Sequence, residues 1–287
     1  MLVLAFATCG ESTDQHKREP VDEASDDAGR RPFSDASGFN PRSFASKVSG
    51  HGRAVIFIPG LGCPGEVWDG TVDHLGDEIE THVLTLSGFA GRPRIDGPLA
   101  ATVRKELIRY IRSRHLDKPI IVGHSLGGTI AYWLAATAPD LIGGVIIVDA
   151  GPALADTDDE TARSLRNMWA QAGDDELPEQ VRTAYSSMVT DPKTIEPILG
   201  AIAKSDRRTM GDAIYETVTT DLRDQVANIR APVLVVLADG GYQQMITQQV
   251  EAIPDHLVKV MPHTRHFVMY DDPEGFYRLV DKFLAKH

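Results

Sequence analysis

The stretch "PIIVGHSLGGTIAYWLAATA", residues 119–138, decides how this chain folds. Its first four residues, a proline and three β-branched side chains, form a short apolar run, and "LGGTIAYWLAATA" carries the apolar spacing of a helix. Between the two, Gly123, Ser125 and Gly127 satisfy G-x-S-x-G. That pattern places a serine on a strained strand-to-helix turn, with its oxygen projecting from the end of a sheet, and the flanking glycines let neighbouring backbone pass close by. The N–H of Leu126, at the helix N-terminus, would then donate to negative charge forming on a substrate oxygen. A second donor is expected from "FIPGLGCPGEVW", where a strand ends at Pro59-Gly60 and the N–H of Leu61 would point into the same space. Trp68 closes that loop and is a candidate wall of the substrate site.

Working outward, apolar runs alternate with helical patterns: "AVIFI" (54–58), "HVLTL" (82–86), "PIIVG" (119–123), "GVIIV" (144–148), "PVLVVL" (232–237) and "HLVKVM" (256–261). Continuous runs read as strands covered on both faces, and intervening helices read as crossover connections. The fold class is therefore α/β, a doubly wound and mostly parallel sheet. Residues 51–151 and 227–287 make up this core, and residues 152–226 form an inserted helical cap.

In the cap, Thr157 and Glu160 have capping-box spacing, and Leu165, Met168, Trp169 and Ala172 fall on one helical face. Val181, Ala184, Tyr185 and Met188 repeat the pattern, as do Ile195, Ile198, Leu199 and Ile202, and then Met210 and Ile214. Met168, Trp169 and Met188 are candidate substrate contacts. Met serves equally well as adaptable packing and as the wall of a permissive apolar pocket.

Residues 10–50 are rich in Asp, Glu, Ser, Arg, Gly and Pro with almost no apolar periodicity, so a disordered linker or tail is expected there. Residues 1–9 look like the remnant of an export or lipoprotein signal, with a short apolar run and small residues before Cys9. Two locations stay open on this reading: export with lipid attachment at Cys9 in a bacterium, or the cytoplasm. No later run approaches the roughly 18 apolar residues of a membrane span. The two cysteines, Cys9 and Cys63, define no disulfide framework.

The chain of 287 residues carries 41 acidic and 29 basic side chains, a net charge of −12, with no basic block. Nucleic acid and anionic membrane surfaces are poor partners for it. Between Pro152 and Val226 there are 15 Asp/Glu against 8 Lys/Arg, so a polyanionic substrate would be repelled from the cap. No metal or organic cofactor is implied, because the histidines lack ligand spacing and the glycine loops lack a phosphate-binding pattern.

The order of P-G-x, G-H-S-x-G-G, a helical insertion and a late R-H-F resembles the α/β-hydrolase superfamily, over roughly Gly50 to His287. The resemblance implies Ser125 as nucleophile and His266, in "TRHFVMYDDPEGF", as base; His263 is the alternative histidine. The position where the family usually carries its acid, counted from Pro232, falls on Gly241, and Asp239 stands two residues before it. A minority of members, including some haloalkane dehalogenases, carry the acid at the tip of the strand before the cap. Here that tip is "GVIIVDAGP", with Asp149 directly after the strand, so Asp149 and Asp239 both remain candidates. The implied activity is a serine hydrolase working by acyl transfer on a small to medium uncharged ester, without cofactor. The same residues would serve a lactone, amide or carbon–carbon bond hydrolase, and a non-catalytic ligand-binding protein on this fold is the rival from another class.

Overall fold

The computed structural model describes residues 39–154, 157–172 and 176–287. The reading of residues 1–9, with Cys9, lies outside them. Among the described residues, seven strands form one sheet: β1 (Phe44–Ser49), β2 (Arg53–Ile58), β3 (Ile79–Leu86), β4 (Ile120–His124), β5 (Gly144–Val148), β6 (Val233–Ala238) and β7 (His256–Met261). Their order is β1-β3-β2-β4-β5-β6-β7. β1 runs antiparallel to β3 and every other pair is parallel. The helices are α1 (Asp69–Leu75), α2 (Leu99–Ser113), α3 (Leu126–Thr137), α4 (Asp159–Ala170), α5 (Glu176–Ser186), α6 (Glu196–Ile202), α7 (Arg207–Thr219), α8 (Gln243–Val250), α9 (Val268–Asp271) and α10 (Pro273–Lys286).

Continuous apolar runs behave as expected in the middle of the sheet, where every residue of β4, β5 and β6 is buried. Both ends depart from expectation. β7 is an edge strand that leaves Leu257, Lys259 and Val260 exposed, so its apolar run is not covered on both faces. β1 lies inside the stretch 10–50 that composition assigned to a tail. Only its first residue, Phe44, is fully buried, against Tyr110 of α2, and its polar outer half resembles linker sequence. It is fixed by pairing with β3 and by Glu106, whose carboxylate accepts from the Arg42 and Ser43 N–H groups at 2.9 and 2.8 Å.

The helices α4 to α7 are inserted between β5 and β6. The N-cap of α4 is Asp158, accepting from Thr161 N–H at 2.7 Å, and not Thr157. Ala162, Leu165 and Trp169 form the buried stripe of α4 against α7. Gly211 allows that approach, since a Cβ there would meet the Arg166 carbonyl at 2.4 Å. Helix α2 starts after Pro98, which has no capping side chain, leaving N–H groups in its first turn unpaired. Glu216 of α7 takes two of them, Ala100 and Ala101, at 2.8 Å each, and so joins the insertion to the core.

Candidate active site

Ser125 sits between β4 and α3 at φ 55°, ψ −119°, a backbone region that L-residues seldom occupy. The turn holds because its neighbours are glycines: a Cβ at Gly123 would lie 2.2 Å from the Gly127 carbonyl, and one at Gly127 would lie 2.2 Å from the Ile58 carbonyl of β2. The Ser125 N–H is anchored to the Val148 carbonyl of β5 at 3.0 Å. Leu126 is the first residue of α3, so its N–H has no partner inside the helix.

Parallel strands deliver the other groups to the same edge of the sheet. Asp149 follows β5 directly, at φ 47°. Its Oδ2 accepts from His266 Nδ1 at 2.6 Å and its Oδ1 from the Ala238 N–H at 2.9 Å. Burial alone would raise the Asp149 pKa. The hydrogen bond and charge of His266, with the Ala238 N–H, outweigh burial and hold it below the usual carboxylate range. An ionised Asp149 can only accept, so His266 carries a proton on Nδ1 toward it. Among the described residues no hydrogen bond joins Ser125 Oγ to His266, although both line one cavity.

A cavity of about 330 Å³ opens over these groups. Ser125, His266, Asp149, Leu61 and Leu126 line it, together with apolar side chains that include Leu154, Met188, Ile214, Met245 and Ile246. Asp239 lies on its wall, but its carboxylate accepts from the His263 N–H at 3.2 Å and Gln243 Nε2 at 3.3 Å, and not from His266.

Three expected substrate contacts lie elsewhere. Trp68 is fully buried in the core, tilted against Phe57 and stacked on Phe276. Trp169 belongs to the buried stripe of α4 and does not line the cavity. Met168, one residue out of phase with that stripe, borders a shallow polar depression with Asp159, Arg163 and Asn167 on the far side of the helix. Tyr242, Met245 and Ile246 line the cavity from the start of α8, a helix not read from the sequence although "QQMITQQV" pairs Met245 and Ile246 with Gln249 and Val250 at helical spacing.

His124 is fully buried beside His266, with ring centroids 4.6 Å apart. Its Nε2 donates to the His266 carbonyl at 3.0 Å, and Nδ1 has no partner among the described residues. Burial first, and the neighbouring His266 second, pull its pKa down to about 3. The unfolded chain takes up this proton near 6.5 and the folded chain only near 3, so between the two acid loads the unfolded state and stability falls as pH drops. From pH 7 to about pH 5 this one group is expected to remove roughly 2 kcal/mol. Urea unfolding of wild type and His124→Asn at both pH values checks it: the variant should lose that much less, and an equal loss would place the pH dependence elsewhere.

Among the described residues no helix is long and apolar enough to cross a membrane, and no three His, Cys, Asp or Glu side chains converge as a metal-holding set.

Residues 55–279 match the family model described as the alpha/beta hydrolase family. The chain is 23% identical over 256 residues to the pimeloyl-[acyl-carrier protein] methyl ester esterase of Aliivibrio salmonicida, covering 83% of this chain and 94% of that one. Among solved structures it is similar to a thermophilic esterase from Thermogutta terrifontis, with TM-score 0.74 and 21% identity over 85% of this chain and 93% of the other. The enol-lactonase of Burkholderia xenovorans LB400 superimposes with TM-score 0.73 at 16% identity, over 84% of this chain and 96% of the other. With a family match spanning the sheet from β2 to α10 and a serine on the strand-to-helix turn, the chain is an enzyme of the α/β-hydrolase family.

Proposed function

We propose that the chain is a serine hydrolase that cleaves small to medium uncharged esters by acyl transfer. The observation that carries this reading is the 2.6 Å hydrogen bond from His266 Nδ1 to Asp149, in a cavity that Ser125 also lines. Ser125 Oγ attacks the ester carbonyl while His266 Nε2 takes its proton, and Asp149 stabilises the imidazolium that forms. The N–H groups of Leu61 and Leu126 hold the negative oxygen of the tetrahedral intermediate. His266 returns its proton to the leaving alcohol, and water repeats the sequence on the acyl-enzyme.

The apolar wall favours an uncharged acyl chain, and the acidic excess of residues 152–226, acting as a cap over the site, disfavours anions. Esterase activity in the named relatives agrees with this reading. A screen of p-nitrophenyl esters of increasing chain length tests it, with lactones and amides of matched size alongside. Saturable turnover of the esters supports it. Faster turnover of a lactone or an amide would move the assignment to that bond.

The cavity also predicts chain-length preference. Met188→Trp should shorten the longest ester accepted and change acetate turnover by less than about threefold, because it fills space that only a longer acyl chain uses. Met168→Trp, on the outer face of α4, should leave the profile unchanged. Chain-length profiles of the two variants check this; identical profiles would mean that Met188 does not border the acyl site.

A further inference from the structure

The loop after β2 is a tight turn in which the Cys63 N–H donates to the Gly60 carbonyl at 3.1 Å. Gly62 has φ 66°, the conformation that a type II turn requires of its third residue. Such a turn closes on its first carbonyl and fourth N–H, and leaves the carbonyl of its second residue without a partner inside the turn. Here the second residue is Leu61. Its carbonyl accepts from the hydroxyl of Tyr185, in the last turn of α5. The next carbonyl, Gly62, accepts from Ser205 Oγ at 3.2 Å, and that hydroxyl accepts from the Ala90 N–H at 2.9 Å. Tyr185 and Ser205 both belong to the inserted helical region, so it holds two successive peptides of this loop.

The same region grips the loop that carries His266. The Phe267 N–H donates to the Met188 carbonyl at 3.2 Å, and Arg265 Nη1 donates to the Ser187 and Val189 carbonyls at 3.0 and 3.3 Å. The Asp271 carboxylate accepts from Thr190 N–H and Oγ1 at 2.8 Å each and from the Arg265 N–H at 2.7 Å. Six consecutive residues, Tyr185 to Thr190, thus bind both the loop with an oxyanion donor and the loop with the base.

We propose that this segment is a positioning element for the chemical step, with Tyr185 as the positioning residue: it fixes the Leu61–Gly62 peptide and, through Leu61 Cα, restrains the adjoining Gly60–Leu61 peptide, which carries the Leu61 N–H and whose carbonyl the Cys63 N–H holds. The proposal rests on the serine-hydrolase reading and adds a role for the insertion beyond enclosing substrate. Tyr185 is 2% exposed, and burial followed by the nearby Cys63 raises its pKa, so its hydroxyl stays protonated and able to donate. An oxyanion donor is worth roughly 10² to 10³ in kcat, and a misplacement of about 1 Å can cost on the order of 10². Loosening one such donor is therefore expected to cost about ten- to hundredfold.

Tyr185→Phe keeps the ring near Phe267 and removes only the donor. The readouts are kcat and KM on p-nitrophenyl acetate and butyrate, and hydrogen exchange of the backbone peptide 59–64. The expected result is a fall in kcat of that size on both esters, with KM changed less than about twofold, and faster exchange of the peptide. Ser205→Ala should move both readouts the same way by less, and decides the matter if Tyr185→Phe does not fold. Tyr132→Phe removes a buried hydroxyl of α3 with no partner among the described residues and should move neither. A normal kcat with unchanged exchange in Tyr185→Phe overturns the proposal, as does an equal loss in Tyr132→Phe. If wild type turns over no ester, the hydrolase reading fails on its own; exchange of 59–64 then decides whether Tyr185 tethers the loop.

Discussion

Ser125→Ala is expected to lower ester turnover about 10⁶-fold while the protein stays folded, the size of loss seen when the nucleophile of a serine protease is removed. The backbone at Ser125 is held by its neighbours and not by its side chain. The Val148 carbonyl takes its N–H, and the Gly123 and Gly127 close approaches are unaffected by losing Oγ. Thermal unfolding should therefore change little. Residual turnover near that of the wild type would mean that another group attacks the carbonyl, and a folded variant with full activity would remove Ser125 from the mechanism.

Asp149→Asn is expected to lower kcat by up to about 10⁴ near neutral pH. An amide at that position would offer its oxygen to one neighbour and its NH₂ to the other. His266 Nδ1–H and the Ala238 N–H both require an acceptor, so one of the two is left mismatched. The imidazole then settles in the tautomer that has no free Nε2 lone pair. Asp239→Asn should cost about tenfold or less, because its carboxylate stands on exposed loop backbone and acts on His266 only as a screened charge. Steady-state kinetics of the two variants at one pH check this ranking. The reverse order would mean that the loop after β6 turns inward and delivers Asp239 when substrate binds.

What was legible in the sequence was what adjacent residues determine. The turn at Ser125 is written in seven consecutive residues, and the strands at the centre of the sheet are continuous because both of their faces are covered. Features that depend on the third dimension were harder to read. Asp149 and Asp239 follow neighbouring parallel strands, and nothing local separates them; the separation comes from where the His266 loop lies. Trp68 in a loop beside the site looks like a ligand wall, yet the side chain is large enough to reach back to Phe57 and Phe276. Met168 and Trp169 are neighbours in sequence but about 100° apart around α4, so Trp169 is buried in the stripe while Met168 is only partly buried and borders the depression outside the cavity. β1 is hard to separate from the polar composition before it, because an edge strand with one fully buried residue has almost no apolar signature. Helical spacing puts Tyr185 on the inner face of the cap, but its hydroxyl bond to Leu61, 124 positions away, has no counterpart in sequence spacing.

The most direct test of a covalent acyl transfer at Ser125 is rapid-quench mass spectrometry during turnover of p-nitrophenyl acetate. The protein is denatured in acid within the first turnover, digested, and each peptide weighed for an added acetyl group. One acetylated peptide is expected, containing Ser125, formed at the rate of the p-nitrophenol burst and missing in Ser125→Ala. Turnover with no acylated peptide, or with the acetyl group on another residue at that rate, would contradict it.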